Sequence, residues 1–417
     1  MLSLHAAETR RKRGQPPKIG LAIAGGGPIG AMYELGALRA LDEACEGLDL
    51  TRLDCYVGVS SGAFIAAGLA NRMDTAEMCR IFISGDSQDV NFRPEAFLRP
   101  ALLEYMRRAV SIPKVAVRLT RDFWSGHADS RWFDVVNQVG GLVPTGLFDN
   151  AAVERFLRDV FTHGGRTNDF RELDRPLYVI SVDLDSGEVV RFGDKGWDDV
   201  PISQAVRASA ALPVLYPPVE LRGRHFVDGA LRRTMHASIV LDRGVDLMLG
   251  INPLVPFNPG NEAPDAAVSH RFSDRRIAQG GLPGVLSQTL RTMLQSRMQV
   301  GLARYAQQYP DIDQVVFEPN ADNRELFYTN AFSFSSRRRI AQLAYRNTLT
   351  DLRERRDVLA PMLAEHGITL RSEVIADKPR SILAHLPPSH RQTETTARLG
   401  RALDEIEHRL GLPQRMV

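Results

Sequence analysis

Lys18 to Ala24 is a short apolar run that stops at Gly25-Gly26-Gly27-Pro28-Ile29-Gly30. Leu35, Leu38 and Leu41 then recur at helical spacing, so the pattern predicts a buried strand followed by a helix over Ala31 to Ala44. The same order repeats at once. Cys55-Tyr56-Val57 is strand-like, Gly58-Val59-Ser60-Ser61-Gly62 is a turn, and Ala63 to Ala70 is a small-residue helix. Asp74 with Glu77 three residues later forms a capping box for a helix through Ile83. Leu177 to Asp183 and Glu188 to Phe192 read as strands about a turn at Asp185-Ser186-Gly187. Val219 to Val227 reads as a hairpin over Arg222-Gly223-Arg224, and Leu247 to Ile251 and Gln314 to Phe317 as buried strands. Helical patterns fill Val285 to Gln308 and the chain beyond Phe332. Strands that lead through glycine loops into helices define an α/β fold with a mainly parallel central sheet. Its ligand site is expected at the carboxyl ends of the strands.

Chemistry concentrates in the two loops. Gly58-Val59-Ser60-Ser61-Gly62 is a G-x-S-x-G string in the strand-turn-helix setting of a nucleophile elbow, which makes Ser60 the candidate nucleophile. Gly25, Gly26 and Gly27 offer backbone N–H groups at a helix start, where an anion or developing oxyanion is favoured. Pro28 fits the first helical turn. With Gly30 the loop also satisfies G-x-G-x-x-G, but a dinucleotide site wants a carboxylate at the end of the next strand, and here that strand ends in Gly58-Val59-Ser60. The arrangement favours acyl chemistry. Histidine is the usual base for a serine. None of the ten histidines recommends itself, His225 and His236 beside a short apolar stretch and His127 and His163 in loop-like surroundings included. Asp228, at the end of Phe226-Val227 and before Gly229-Ala230, is a carboxylate candidate; alone it reads equally as a turn or cap residue. Asp183-x-Asp185 and Asp311-x-Asp313 lack further oxygen ligands nearby, so no metal and no cofactor is expected.

The order Gly25-Gly26-Gly27-x-x-Gly30, Gly58-x-Ser60-x-Gly62, Asp228-Gly229-Ala230 resembles the patatin-like phospholipases. Arg207-Ala208-Ser209-Ala210-Ala211-Leu212-Pro213 with Tyr216-Pro217-Pro218 is similar to the family's segment ahead of its aspartate, and Gly146-Leu147-Phe148-Asp149 matches as well. The resemblance runs from about residue 18 to about residue 255. It implies a three-layer α/β fold and a histidine-free Ser-Asp dyad: Ser60 attacks an acyl ester, Asp228 takes its proton, and Gly25 to Gly27 stabilise the oxyanion. A carboxylate can serve as base because a dry pocket raises its pKa. The family often has arginine or lysine where this chain has Pro28 and Ile29, so this loop supplies no cation for a phosphate head group.

The full chain of 417 residues can bury a large core. Its formal net charge of +2 gives no electrostatic case for nucleic acid, and no run of 18 apolar residues spans a membrane. Three cysteines favour a reducing compartment, and the basic cluster near the N-terminus follows its weakly apolar start, the wrong order for a signal peptide. The expected location is cytoplasmic, with peripheral lipid-surface contact through Arg10 to Arg13 as the minority option. The expected organisation is a basic disordered tail over 1–17, a hydrolase domain over 18–332 and a helical C-terminal region over 333–417. Residues 85–145, with Phe123 and Trp124 among interleaved arginines, read as a helical insertion that is either an interfacial lid or a packed cap. Residues 253–284, rich in proline and glycine, read as a long loop or linker placed to line the cleft, and Arg337-Arg338-Arg339 as part of a solvated face. An acyltransferase using the same acyl-enzyme and a non-catalytic lipid-binding module remain the other functional classes.

Overall fold

A computed structural model describes residues 2–9, 16–85, 101, 106, 145–146, 148–213, 215–254, 281–319, 334–376, 380–384 and 386. Nearly all of the 85–145 stretch, Phe123 and Trp124 included, lies outside these residues, as do Arg10 to Arg13, His127 and most of 253–284.

The strands are β1 (Leu2–His5), β2 (Ile19–Ile23), β3 (Cys45–Glu46), β4 (Cys55–Val59), β5 (Leu177–Asp183), β6 (Val189–Phe192), β7 (Val219–Leu221), β8 (Arg224–Asp228), β9 (Leu247–Ile251), β10 (Asp313–Phe317) and β11 (Thr369–Leu370). The longer helices are α1 (Gly27–Ala44), α2 (Ser61–Ala70), α3 (Thr75–Cys79), α4 (Ala151–Phe161), α5 (Ile202–Ser209), α6 (Gly281–Gln308), α7 (Phe334–Glu354), α8 (Arg356–Glu365) and α9 (Ser372–Ala376).

Strands β10, β9, β2, β4 and β5 lie side by side in parallel and form the centre of a nine-stranded sheet. Every residue of β2, β4, β5 and β9 is buried, as expected for parallel strands covered on both faces. Alternation along β2 divides the core. Leu21 and Ile23 face the side packed by α1, α2 and α7, whereas Ala22 and Ala24 face the side that receives Leu294, Met298 and Tyr305 of α6. The hairpin of β7 and β8 turns at Arg222 and Gly223, both at positive φ (55° and 73°), the pairing a tight two-residue turn needs.

The fold departs from the sequence reading in three places. Leu2–His5 is a strand, antiparallel to β10, so the tail expected over 1–17 is ordered at its start. Leu2 enters the core and the Ser3 hydroxyl donates to Glu318 at 2.8 Å. The capped helix begins as expected, with Asp74 accepting the Glu77 N–H at 2.6 Å, but Arg80–Ser84 widens into a π-helix. Arg337 is buried while Arg338 and Arg339 are exposed, so that basic triplet is not wholly solvated.

The C-terminal helices share the main core. α7 packs along α1, and β11 pairs with β3 at the end of α1. Gly36 permits this approach: a Cβ there would sit 2.2 Å from the Ala341 carbonyl oxygen and 2.8 Å from the Ala344 Cβ. Gly36→Ala should therefore destabilise the protein by about 1–3 kcal/mol in urea unfolding. Gly301→Ala, in α6, meets among the described residues only the Tyr305 ring edge at 3.9 Å and should be neutral or stabilising by about 0.5–1 kcal/mol.

Candidate active site

β5 brings the two ends of the site together. Its residues Val179 to Val182 pair with β6 along one edge. Leu177 to Ile180 pair with β4, and Ser181 to Asp183 pair with β8. Residues already paired to β6 cannot take a second strand on that edge, so β4 and β8 share the opposite edge and meet end to end. β4 finishes at Val59, opposite Ile180, and β8 finishes at Asp228, opposite Ser181. Ser60 and Asp228, far apart in sequence, are the residues at this junction.

Ser60 leaves β4 and caps α2 with φ 54° and ψ −119°, a conformation that side-chain-bearing residues rarely adopt. The flanking glycines are forced by close approach. A Cβ at Gly58 would stand 2.4 Å from the Ala63 Cα, and one at Gly62 would stand 2.5 Å from the Ile23 carbonyl oxygen. Ser60 is 7% exposed. Its backbone N–H donates to the Ser209 hydroxyl oxygen at 2.8 Å, and Ser209 donates to the Ile180 carbonyl at 2.5 Å. The strained backbone of Ser60 is thus fixed by a completely buried side chain of α5.

Asp228 is 1% exposed. Burial pushes its carboxyl up to about 6, against the opposing pull of hydrogen bonds from the Ala230 N–H and the Ser60 hydroxyl. The Ala230 bond is 2.9 Å, and the Asp228 N–H donates to the Ala211 carbonyl at 3.0 Å. Gly229 can follow because it lacks a Cβ, which would stand 2.4 Å from the Ile180 carbonyl oxygen.

The glycine loop reaches the same place from β2. A Cβ at Gly25 would lie 2.9 Å from the Ser60 Cβ. Its three N–H groups are unequal. Gly25 donates to the Thr234 carbonyl at 3.2 Å and Gly26 to the Ser61 hydroxyl oxygen at 2.8 Å. Gly27, at φ 65°, and Ser61, the first residue of α2, have backbone N–H groups with no partner among the described residues. Gly30 follows in the first turn of α1, covered with Gly26 by the Pro253 ring.

None of the described histidines bonds to Ser60 or Asp228. His236 is buried, held neutral by burial that lowers it to about 3, and lies 3.3 Å from the Gly229 carbonyl, to which its Nε2–H can donate. Exposed His225 approaches Asp185, and His163 approaches the Asp159 carbonyl. Asp183 and Asp313 serve structure. Asp183 accepts the Asp185 N–H at 2.9 Å and pairs with Arg224, while Asp313 accepts the Ala7 N–H at 2.7 Å and bonds His366 at 2.6 Å. Among the described residues no cluster of three or more histidine, cysteine or acidic residues could hold a metal.

The pattern around the loops did not single out three contributors. Ser209 sits in the segment ahead of Asp228, where a serine among small residues carries no signal of its own. Thr234 acts through its backbone carbonyl, which no side-chain pattern reports. Glu34, which accepts from Ser61, stands on the helical face of Leu38 and Leu41, and a carboxyl at a core-facing position is the signal that could have found it.

The family whose sequence description is patatin-like phospholipase matches residues 21–241, and the chain belongs to that family. It is accordingly an enzyme, a lipid acyl hydrolase. Among solved structures it is similar to VipD from Legionella pneumophila (15% identity, TM-score 0.31, covering 99% of this chain and 91% of that one). It is also similar to ExoU of the Pseudomonas aeruginosa type III secretion system, solved with SpcU (16%, 0.28, 95% and 78%). A third is human GIVD cytosolic phospholipase A2 in complex with methyl gamma-linolenyl fluorophosphonate (13%, 0.32, 84% and 59%). Among the described residues no helix is long and apolar enough to cross a membrane.

The backbone at Ser60 can be tested apart from catalysis. A residue held at such φ and ψ costs about 1–3 kcal/mol, which glycine escapes. Ser60→Gly and Ser60→Ala both remove the hydroxyl, so their difference isolates the backbone. Ser60→Gly should unfold in urea with about 1 kcal/mol more stability than Ser60→Ala.

Proposed function

We propose that the protein hydrolyses lipid acyl esters through a Ser60–Asp228 dyad. The end-to-end meeting of β4 and β8, which sets Ser60 beside the buried Asp228 carboxyl, carries this reading, and the Ser60 hydroxyl is among the groups that act on that carboxyl. A carboxyl raised to about 6 is ionised near neutral pH yet far more basic than a solvated aspartate, which suits it to accept a serine proton.

Asp228 takes the hydroxyl proton as Ser60 Oγ bonds to the ester carbonyl carbon. The carbonyl oxygen becomes an oxyanion beside the N–H groups of Gly27 and Ser61, which carry no other partner among the described residues. In the assignment that the resemblance implies, Gly25 and Gly26 would act as well; their present bonds to Thr234 and Ser61 make Gly27 and Ser61 the better pair. Such a donor is typically worth about 2.7–4 kcal/mol of transition-state stabilisation. Collapse of the intermediate breaks the ester C–O bond, and the leaving alcohol carries away the proton held by Asp228. Water then attacks the acyl-Ser60 ester, giving its proton to Asp228, and release of the fatty acid returns that proton to Ser60 Oγ. Neutral His236 supports the Asp228–Gly229 turn and has no place in the proton path.

Ser60→Ala should lower hydrolysis of a nitrophenyl ester and of a phospholipid by at least about 10³-fold, and abolish labelling by a fluorophosphonate. Asp228→Asn keeps the acceptor for the Ala230 N–H and should lower kcat by about 10²–10⁴-fold. Both should retain the wild-type far-ultraviolet circular dichroism. Substantial activity in Ser60→Ala, or full activity in Asp228→Asn, would contradict the dyad. Free fatty acid should form without an added alcohol or thiol; strict dependence on such an acceptor would identify a transferase.

A further inference from the structure

Glu34 is a completely buried carboxyl in α1, one turn after Gly30. Its Oε1 accepts the Ser61 hydroxyl at 2.6 Å, and the Ser61 oxygen accepts the Gly26 N–H at 2.8 Å. The chain of bonds therefore links α1, the residue after the nucleophile and the glycine loop. Gly30 leaves the room it occupies: a Cβ there would stand 3.2 Å from both Glu34 Oε1 and Ser61 Oγ, and 3.1 Å from Pro253.

Fold stability does not account for this carboxyl. Oε2 has no hydrogen-bond partner among the described residues, and leaving a buried polar atom unsatisfied is unfavourable. Leucine would satisfy the helical face better. Burial drives the Glu34 carboxyl well above the ordinary range, with the Ser61 hydroxyl pulling the other way. Its Oε1 is the acceptor that the Ser61 hydroxyl requires.

We propose that Glu34 is a positioning residue for ester hydrolysis: through Ser61 it fixes the Gly26 N–H, and so holds the glycine loop in register with the Ser60 elbow. The inference rests on the dyad reading above. Ser61 has two parts in it. Its side chain ties the loop to α1, while its backbone N–H faces the developing oxyanion with that of Gly27. Removing the acceptor at residue 34 frees the Ser61 hydroxyl to turn, and the loop loses its anchor. The transition state then suffers more than substrate binding, because the oxyanion forms only after attack.

The test measures kcat and KM on a soluble short-chain nitrophenyl ester for Glu34→Leu, Glu34→Gln, Ser61→Ala and the Glu34→Leu/Ser61→Ala double variant, with thermal unfolding of each. Glu34→Leu should lose about tenfold or more in kcat with KM within about twofold, at a Tm no lower than a few degrees below wild type. Glu34→Gln, which keeps an acceptor oxygen on a side chain of the same shape, should recover most of that loss. Ser61→Ala should match Glu34→Leu, and the double variant should be no worse than either single one, because both break the same chain. Wild-type kcat in Glu34→Leu, equal loss in Gln and Leu, or losses that multiply in the double variant would overturn the proposal. If Glu34→Leu does not fold, Gln against Ser61→Ala decides: Gln must stand well above Ser61→Ala. Ser60→Ala serves as the blank, and activity surviving there would refute the dyad reading itself rather than the relay alone.

Discussion

Two strands compete for one edge of β5, and the site exists because neither takes all of it. β4 runs parallel to β5 as far as Ile180, and β8 comes the other way from Asp183 to Ser181. Where they meet, each has to leave the sheet: β4 by a strained turn into α2, β8 by a short 3₁₀ turn from Gly229. Both exits require residues without side chains, because Gly62 abuts the Ile23 carbonyl and Gly229 the Ile180 carbonyl. The glycine loop closes over the same point from β2. One packing constraint thus fixes the spacing of three motifs that are widely separated in sequence.

Depth then sets the chemistry. Asp228 is buried at the junction, so it is desolvated and its carboxyl stands near 6 instead of near 4. A histidine lies only eight positions on in sequence, but the same burial drives His236 down to about 3, and its nearest hydrogen-bonding neighbour is the Gly229 carbonyl. Low dielectric raises a carboxylate toward usefulness as a base and carries an imidazole away from it. A Ser-Asp pair is therefore a physically sensible solution in so dry a site. The three cysteines show the same effect: Cys45, Cys55 and Cys79 are buried, unpaired and pushed up to about 12.

Much of this architecture was legible in the chain because glycine punctuates it. The runs ending at Gly25 and Gly58 placed β2 and β4 to within a residue or two, and Arg222-Gly223 placed the hairpin that delivers Asp228. What escaped was non-local. Leu2–His5 precedes a basic cluster and carries no strand signal of its own; its order comes from β10, more than 300 residues away in sequence. The β3–β11 pairing is two residues long on each side and equally silent. Within the site, composition suggested that Gly25, Gly26 and Gly27 all bare their N–H groups, but only the folded chain reveals the Thr234 carbonyl and Ser61 hydroxyl that engage the first two. Buried Arg337 is the reverse case, a charge whose surroundings the local pattern could not supply.

The central claim is that a desolvated Asp228 deprotonates Ser60. Its most direct measurement is the pH dependence of the rate at which a fluorophosphonate labels Ser60, in wild type and Asp228→Asn. A raised carboxyl loses its proton as pH climbs through about 6, so wild-type labelling should rise through an apparent pKa near that value and level off above it. The Asn variant should be slow at every pH and show no such limb. A limb that survives unchanged in Asp228→Asn would mean that another group activates the serine.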